Sequence, residues 1–343
     1  MEPFAFDLCD ARAADFDEYG YLSANPDVAL AVARGVFRSG REHYRKFGHT
    51  EPRQMRKPRG DLAAARRAKL DKLRPHLRRD MPARERNGKF DYLTEELRQA
   101  TRITAVENVS GHDYDNVARA IIDEYRYGLV LDCGAGRRDI YFPNVVNFEI
   151  VDYDSTDVIG VGESLPFLDN TFDAVISVAV LEHVRDPFRA ADEISRVLKP
   201  GGRLFCCMPF LQPVHGYPHH YFNATPQGLK RLFEDKLTVG EPQVFASLHP
   251  VWALSWILNS WARGLSEETR ATFERMTAAE LMRPPGELLQ APFAASLPAA
   301  TQLELACGSG ILAVKPGVAQ GAPAAARPRG LLRRIWARLG GRA

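Results

Sequence analysis

The run Leu129-Val130-Leu131-Asp132-Cys133-Gly134-Ala135-Gly136 decides the fold. A short apolar run that ends in Asp and enters a turn with two glycines is typical of a buried parallel strand whose carboxyl end faces a ligand. Gly134 and Gly136 lack the Cβ atoms that would keep a bound molecule away from the backbone. A dinucleotide-binding Gly-x-Gly-x-x-Gly turn leaves a helix N-terminus open to a pyrophosphate. Asp132 places a carboxylate there instead, which indicates a cationic or amine-bearing ligand.

The residues after this strand alternate between strands and helices. A second apolar run, 145–149, ends in Glu149, 17 positions after Asp132, near where dinucleotide folds place a ribose-binding acid. Further strands are expected at 158–161, 170–177, 203–210, 237–247 and 303–315. This alternation predicts a doubly wound α/β sheet of about seven strands, mostly parallel with the last antiparallel.

Six pieces of sequence carry a family resemblance. They are Asp-x-Gly-x-Gly at 132–136, the acid at 149, Leu-Pro-Phe at 165–167, Phe-Asp-x-Val at 172–175, Leu-Glu-His-Val at 181–184 and Arg-Val-Leu-Lys-Pro-Gly-Gly at 196–202. Each alone is a weak signal, but the six in order are specific. The run from about 129 to 210 resembles the class I S-adenosylmethionine-dependent methyltransferases, which have a Rossmann-like sheet.

The resemblance implies which residues hold the cofactor S-adenosylmethionine. Asp132, Gly134 and Gly136 would line its methionine end, and Glu149 would hold the ribose. The segment Val161-Gly162-Glu163 would flank the adenine.

Two positions depart from the family pattern. Arg138 stands where the turn usually has its third glycine, and its side chain is expected either to be tolerated at the helix start or to reach the cofactor carboxylate. Val161 stands where the family often has Asp, so adenine recognition would depend on backbone groups or on Glu163.

Length and composition indicate a globular chain with one large domain or two modest ones. Its 343 residues are 45% hydrophobic, with a net charge of +2. We expect a helical module at 1–57, a basic linker or helix at 58–90, the methyltransferase domain at 91–316, and a flexible linker with a basic amphipathic tail at 317–343. The most apolar later segment, 251–258, is too short to span a bilayer.

The N-terminal module resembles a short helical module that accompanies bacterial polysaccharide-related enzymes. The matching pieces are Tyr-Leu-x-x-Asn-Pro-Asp-Val at 21–28 and His-Tyr-x-x-Phe-Gly at 43–48, and helices are expected at both. A docking role and a purely structural role are equal alternatives.

Between positions 38 and 89, basic residues outnumber acidic ones about threefold. Residues 54–90 in particular are rich in Arg, Lys and Pro, and an anionic surface or nucleic acid could bind this stretch. Because interleaved aromatic residues are lacking, a solvated linker and helix face is the favoured interpretation.

The five cysteines are unevenly spaced and are expected to be reduced, buried thiols of a cytosolic protein. No signal peptide is visible in the acidic N-terminus. The tail at 331–339 has apolar residues at helical spacing with arginines opposite. It is equally consistent with a helix on the inner, anionic face of a membrane and with a disordered end.

The loop at 211–222 follows the fifth strand, at the edge where the methyl acceptor is expected. It contains His215, His219 and His220. A histidine that takes the proton of an acceptor hydroxyl is the favoured role, with His215 and His219 ranked first because alternate residues of an extended segment share a side. The alternative is that the histidines only shape the loop. No metal is expected, because no carboxylate or thiol lies within the loop.

The leading hypothesis is methyl transfer from S-adenosylmethionine to a hydroxyl, or another nucleophile, of a sugar, glycan or other small molecule. The alternative is a non-catalytic methyltransferase-like binding module of a polysaccharide-assembly complex. A nucleic-acid methyltransferase is a third hypothesis, disfavoured because no aromatic-lined element for base flipping is evident. The oligomeric state is left open.

Overall fold

The computed structural model describes residues 3–86, 88–101, 113–215 and 219–310. The chain forms two units, Met1–Asn259 and Ser260–Ala343. In chain order the strands are β1 (Phe4–Asp10), β2 (Gln54–Pro58), β3 (Arg84–Arg86), β4 (Lys89–Asp91), β5 (Val130–Cys133), β6 (Ile140–Tyr141), β7 (Val145–Glu149), β8 (Val158–Ile159), β9 (Phe172–Val178) and β10 (Leu198–Cys207).

The helices of the first unit are α1 (Glu18–Ala24), α2 (Pro26–Ala33), α3 (Gly40–His43), α4 (Leu62–Leu73), α5 (Glu95–Thr101), α6 (Asn116–Glu124), α7 (Pro187–Val197) and α8 (Pro226–Phe233). Helix α9 (Pro250–Gly264) crosses the unit boundary. The second unit continues with α10 (Glu267–Phe273), α11 (Ala278–Leu281), α12 (Pro285–Leu288), α13 (Pro292–Ala295) and α14 (Ala299–Leu305). No described helix is both long and apolar enough to cross a membrane.

The main sheet has seven strands in the order β10-β9-β5-β7-β8-β4-β3. Neighbouring strands are parallel throughout, except that β3 is antiparallel to β4. Val130 of the central strand β5 pairs with Val145 on one side and Ala174 on the other. The predicted doubly wound α/β class is confirmed, but among the described residues the antiparallel strand is β3, an edge strand that comes first in the chain among the strands of this sheet, not last.

Alternate residues of the central strands enter two separate cores. On one face Leu131, Val146 and Val175 pack with α4, α7 and α8. On the other face Val130 and Ile176 pack with α6. Helices therefore cover both faces of the sheet, which explains why the strands are apolar throughout.

Two of the expected strands are wrong. The 237–247 segment contains no strand; Pro242 offers no N–H for a ladder and Gly240 weakens an extended run. Residues 303–305 belong to α14, whose sequence Ala-Ala-Thr-Gln-Leu-Glu-Leu favours a helix, and 306–310 form no strand. Residues 311–315 and the tail at 317–343 lie outside the described residues.

The N-terminal region contains the expected helices at 26–33 and 40–48, with a π turn at Tyr44–Gly48. In the sequence these helices lie between β1 and β2, and the two strands form an antiparallel pair that was not expected. Strand β1 also pairs with β6, so β2-β1-β6 is a second sheet. The motif residue Tyr21 is buried and its hydroxyl lies 3.0 Å from Nδ1 of His43. These motif residues therefore have a structural role.

The solvated-linker interpretation of the basic segment is wrong for two of its lysines, Lys69 and Lys89. Lys69 of α4 is fully buried, and its Nζ lies 2.6 Å from Oδ2 of Asp157. Lys89 of β4 is also buried, and its Nζ donates to Oδ1 of Asp152 at 2.6 Å. These ion pairs attach the basic segment to the loop that follows β7.

Candidate functional site

The turn after β5 contains a buried ion pair. Oδ2 of Asp132 lies 2.8 Å from Nη2 of Arg138 and accepts a hydrogen bond from the Tyr114 hydroxyl at 2.6 Å. The guanidinium also lies 4.1 Å from the centre of the Tyr114 ring. Oδ1 of Asp132 is buried and has no hydrogen-bond partner among the described residues. The carboxylate predicted at the strand end is therefore present. One of its oxygens is paired with Arg138, and the other has no hydrogen-bond partner among the described residues.

Burial and the Asp132–Arg138 pair shift the pKa values of their neighbours. Burial raises the pKa of Tyr114 well above its usual value, and the Asp132 carboxylate adds to the shift, so Tyr114 remains a neutral donor. Burial opposes the charge of Arg138, but Asp132 more than compensates, and the pKa of Arg138 is raised. Arg138 therefore stays charged at any physiological pH.

Glu149 at the end of β7 is held by two backbone N–H groups. Gly136 donates to Oε2 and Ile150 donates to Oε1, each at 2.7 Å. Burial raises the pKa of Glu149, and these hydrogen bonds oppose the shift. Each carboxylate oxygen has a second lone pair, so Glu149 can act as a bidentate acceptor in a fixed orientation.

Gly134 and Gly136 both adopt left-handed backbone conformations, with φ of 81° and 61°. A Cβ at Gly134 would also lie 2.5 Å from the side chain of Val180. The first glycine is therefore required by both backbone conformation and packing.

The predicted adenine segment follows β8. Val161 is buried beside Leu93 and Ile159, so its side chain is part of a small apolar cluster. Oε1 of Glu163 accepts a hydrogen bond from the Arg185 N–H at 2.9 Å. A Cβ at Gly162 would meet only the ordinary contact of Val184 at 3.5 Å. Nothing in this segment tests an adenine contact.

The hydrogen bonds of the acceptor loop determine the tautomer of His220. The His215 N–H donates to Nδ1 of His220 at 3.0 Å, so that nitrogen carries a lone pair. Nε2 of His220 then donates to Oδ1 of Asn223 at 2.7 Å. Both ring nitrogens of His220 therefore take part in hydrogen bonds within the loop at 211–222.

The centre of the His215 ring lies 4.3 Å from that of His220, and His215 also forms a group with Glu182 and His183. Nδ1 of His215 lies 2.8 Å from the Pro213 carbonyl, and Nδ1 of His183 lies 2.7 Å from the His219 carbonyl. A carbonyl only accepts, so both rings carry the proton on Nδ1 and a lone pair on Nε2. The two ring centres are 5.3 Å apart. Burial lowers the pKa of both histidines, so both are neutral at pH 7.

Glu182 is the buried acid of this group. Its side chain is 0% exposed, and Oε1 lies 3.8 Å from Nε2 of His183. Burial raises the pKa of Glu182 to about 8. Sequence reasoning missed Glu182 and His183 as site residues because the Leu-Glu-His-Val piece was used only as a family signature; its two polar side chains in an apolar run were the available signal.

The remaining candidates are only partly described. The centre of the His219 ring lies 5.2 Å from that of Tyr221, and the His219 carbonyl accepts the hydrogen bond from Nδ1 of His183. Trp256 of α9 lies 5.1 Å from the His215 ring, while Trp252 is exposed. Residues 216–218, in the loop at 211–222, lie outside the described residues.

Comparisons with known proteins give one matching family model and several partial relatives. Residues 141–206 match the family model described as a methyltransferase domain. The chain is 35% identical over 132 residues to the demethylmenaquinone methyltransferase of Clavibacter sepedonicus, covering 37% of this chain and 49% of that protein.

Two further matches are shorter or more distant. Over 69 residues the chain is 45% identical to the ubiquinone/menaquinone biosynthesis C-methyltransferase of Pasteurella multocida, covering 19% of this chain and 26% of that protein. The solved YcgJ protein of Bacillus subtilis is 19% identical, with a TM-score of 0.28, covering 45% of this chain and 88% of that one. The chain spans at most about half the length of the curated relatives that it matches.

Proposed function

We propose that this chain transfers a methyl group from S-adenosylmethionine to a hydroxyl of a sugar, glycan or other small molecule. The observation that carries the proposal is the buried, unpartnered Oδ1 of Asp132, which lies next to Arg138 at the glycine turn. A buried acceptor without a donor is destabilising unless a ligand supplies one.

The residues present fit the cofactor by their chemistry. The methionine end carries an amine and a carboxylate; Asp132 has an open oxygen for the amine, and Arg138 supplies a cation for the carboxylate. Glu149 presents both oxygens, held in place by backbone N–H groups, to the two ribose hydroxyls. The match of 141–206 to the methyltransferase domain model supports S-adenosylmethionine as the cofactor.

S-adenosylmethionine supplies an activated methyl group, so the chain mainly has to align the acceptor and receive its proton. Nε2 of His215 is the candidate base, because burial lowers the pKa of the ring and leaves the lone pair available at pH 7. His183 has the same tautomer nearby and is a second proton acceptor. Trp256 beside His215 gives the acceptor an apolar surface.

Binding of the cofactor is the first test. Calorimetry of the full chain with S-adenosylmethionine should give one site, and a screen of cell extracts with labelled cofactor should then reveal the acceptor. No binding at millimolar cofactor would refute the proposal. Binding without any methylated acceptor would favour the non-catalytic module, and methylation of a carbon atom would match the C-methyltransferase relative of Pasteurella multocida instead of the proposed hydroxyl acceptor.

A further inference from the structure

We infer that Glu182, His183 and His215 form a binding site for one divalent transition metal ion of the Zn²⁺ type. One ligand atom from each of the three side chains can be chosen so that all three atoms lie within 4.8 Å of one another. The inference concerns metal binding and does not depend on methyl transfer.

The carboxylate of Glu182 provides the first argument. It is fully buried, and neither oxygen has a hydrogen-bond partner among the described residues. A buried carboxylate in this state must take up a proton or acquire a cation. The Nε2 atom of His183, 3.8 Å from Oε1, is too distant for a hydrogen bond. Two ligands bonded to one ion at about 2.1 Å are separated by about 3 to 4 Å, so this distance suits a shared metal.

The two imidazoles provide the second argument. Each donates its Nδ1 proton to a backbone carbonyl, that of Pro213 for His215 and that of His219 for His183. Metal-binding histidines characteristically donate their other ring nitrogen to a carbonyl or carboxylate, which fixes the tautomer and the ring orientation. Both Nε2 lone pairs are therefore available to the same ion as Glu182.

The donor set selects the kind of metal. Two neutral imidazoles and one carboxylate suit Zn²⁺, Co²⁺ or Fe²⁺, whereas Mg²⁺ and Ca²⁺ prefer oxygen ligands alone. Three protein ligands leave a coordination position open, as in catalytic rather than structural zinc sites. His183 and His215 are only half-buried, so solvent or a ligand can reach that position.

No metal was expected from the sequence, because the loop at 211–222 contains no carboxylate or thiol beside its histidines. The structure instead brings Glu182 and His183, which follow β9, against the loop at 211–222; the Tyr221 N–H donates to the Glu182 carbonyl at 2.7 Å. The carboxylate missing from the loop is therefore supplied by another segment.

A metal here would also change the chemistry of the proposed function, and this part of the inference rests on that function. An acceptor hydroxyl bound at the open position has a lowered pKa and releases its proton to solvent. Its oxygen then forms the bond to the methyl carbon while the methyl–sulfur bond breaks, leaving the thioether. His215 would act as a ligand instead of the base.

The test is metal binding by the full chain after treatment with a chelator. Calorimetry with Zn²⁺ and visible absorption with Co²⁺ should show one equivalent bound. Glu182→Gln and His215→Ala should each weaken metal binding by more than about 100-fold. Loss of a residue bonded to the metal costs more affinity than loss of a residue that only hydrogen-bonds to such a ligand. His249→Ala, an exposed histidine of the same unit, is the matched control and should bind as wild type does.

Folding of each variant is checked by circular dichroism, and His215→Ala, in a loop, serves if Glu182→Gln does not fold. Millimolar Zn²⁺ affinity in the wild type, or equal affinity in wild type and His215→Ala, would overturn the inference. Cofactor affinity of the chelated protein is measured separately. Metal binding without cofactor binding would refute only the proposed function, and the reverse result only the metal site.

Discussion

The guanidinium of Arg138 lies 2.8 Å from the Asp132 carboxylate, and both side chains are buried. This pair explains how the glycine turn tolerates an arginine at its third family position. The side chain neutralises the strand-end acid instead of protruding into solvent. The same pair leaves Oδ1 of Asp132 buried without a hydrogen-bond partner among the described residues.

Arg138→Met should destabilise the fold by about 3 to 5 kcal/mol, because it leaves the Asp132 charge buried without its partner. Urea unfolding at pH 7 measures the change. Asp132→Asn combined with Arg138→Met should recover part of the loss, giving a clear coupling energy in the double-mutant cycle. Additive single losses would show that the two side chains do not interact.

Glu149→Gln should weaken S-adenosylmethionine binding by about 10- to 150-fold, since a hydrogen bond to a charged group contributes about 1.5 to 3 kcal/mol. Calorimetry with the cofactor gives the value. Glu124→Gln, which alters an exposed acid paired with Arg203, is the control and should bind normally. Unchanged affinity in Glu149→Gln would remove Glu149 from the cofactor site.

Lys69→Met should destabilise the fold by about 3 kcal/mol or more at pH 7, because Asp157 loses the closest of its buried cations. Arg67→Met changes an exposed cation of the same helix and should have an effect within about 0.5 kcal/mol. Equal losses in the two variants would contradict a structural role of Lys69.

The free energy of unfolding should also depend differently on pH in the wild type and in Lys69→Met. Burial lowers the pKa of Lys69 from 10.5 to about 8, although Asp157 opposes the shift. Between pH 8 and 10.5 the Lys69 side chain therefore binds more protons in the unfolded chain than in the native one. The contribution of Lys69 to the free energy of unfolding consequently rises with pH. The difference between wild type and Lys69→Met should increase from pH 8 to 10, by at most about 1.4 kcal/mol per pH unit. A constant difference would mean that Lys69 keeps its charge.

Gly20→Ala should destabilise the N-terminal region by at least about 1 to 3 kcal/mol, the usual cost of overpacking. A Cβ there would lie 2.0 Å from the Arg56 carbonyl oxygen, and backbone cannot move aside as a side chain can. Gly240→Ala meets nothing within 4 Å and serves as control. Thermal unfolding of the two variants compares them, and matching midpoints would be inconsistent with this contact.

The sequence predicted well those features that are encoded locally. The apolar runs at 130–133 and 145–149 form central parallel strands, and Asp132 and Glu149 lie toward the carboxyl ends of these two strands. Strand periodicity and glycine turns are properties of a few consecutive residues. The prediction failed at 237–247 and 303–310, where scattered apolar residues suggested strands. Neither segment forms a strand of the described sheet.

By itself, then, the sequence determined the fold class and the positions of Asp132, Gly134, Gly136 and Glu149 on it. Only the tertiary structure decided how charges and lone pairs are paired: Lys69 with Asp157, 88 positions apart, and the His183 ring with the His219 carbonyl, 36 positions apart. The reason is physical. Backbone preference acts over a few residues, whereas a buried charge is stabilised by whichever partner the packed chain brings within hydrogen-bond distance, and no local pattern records that partner.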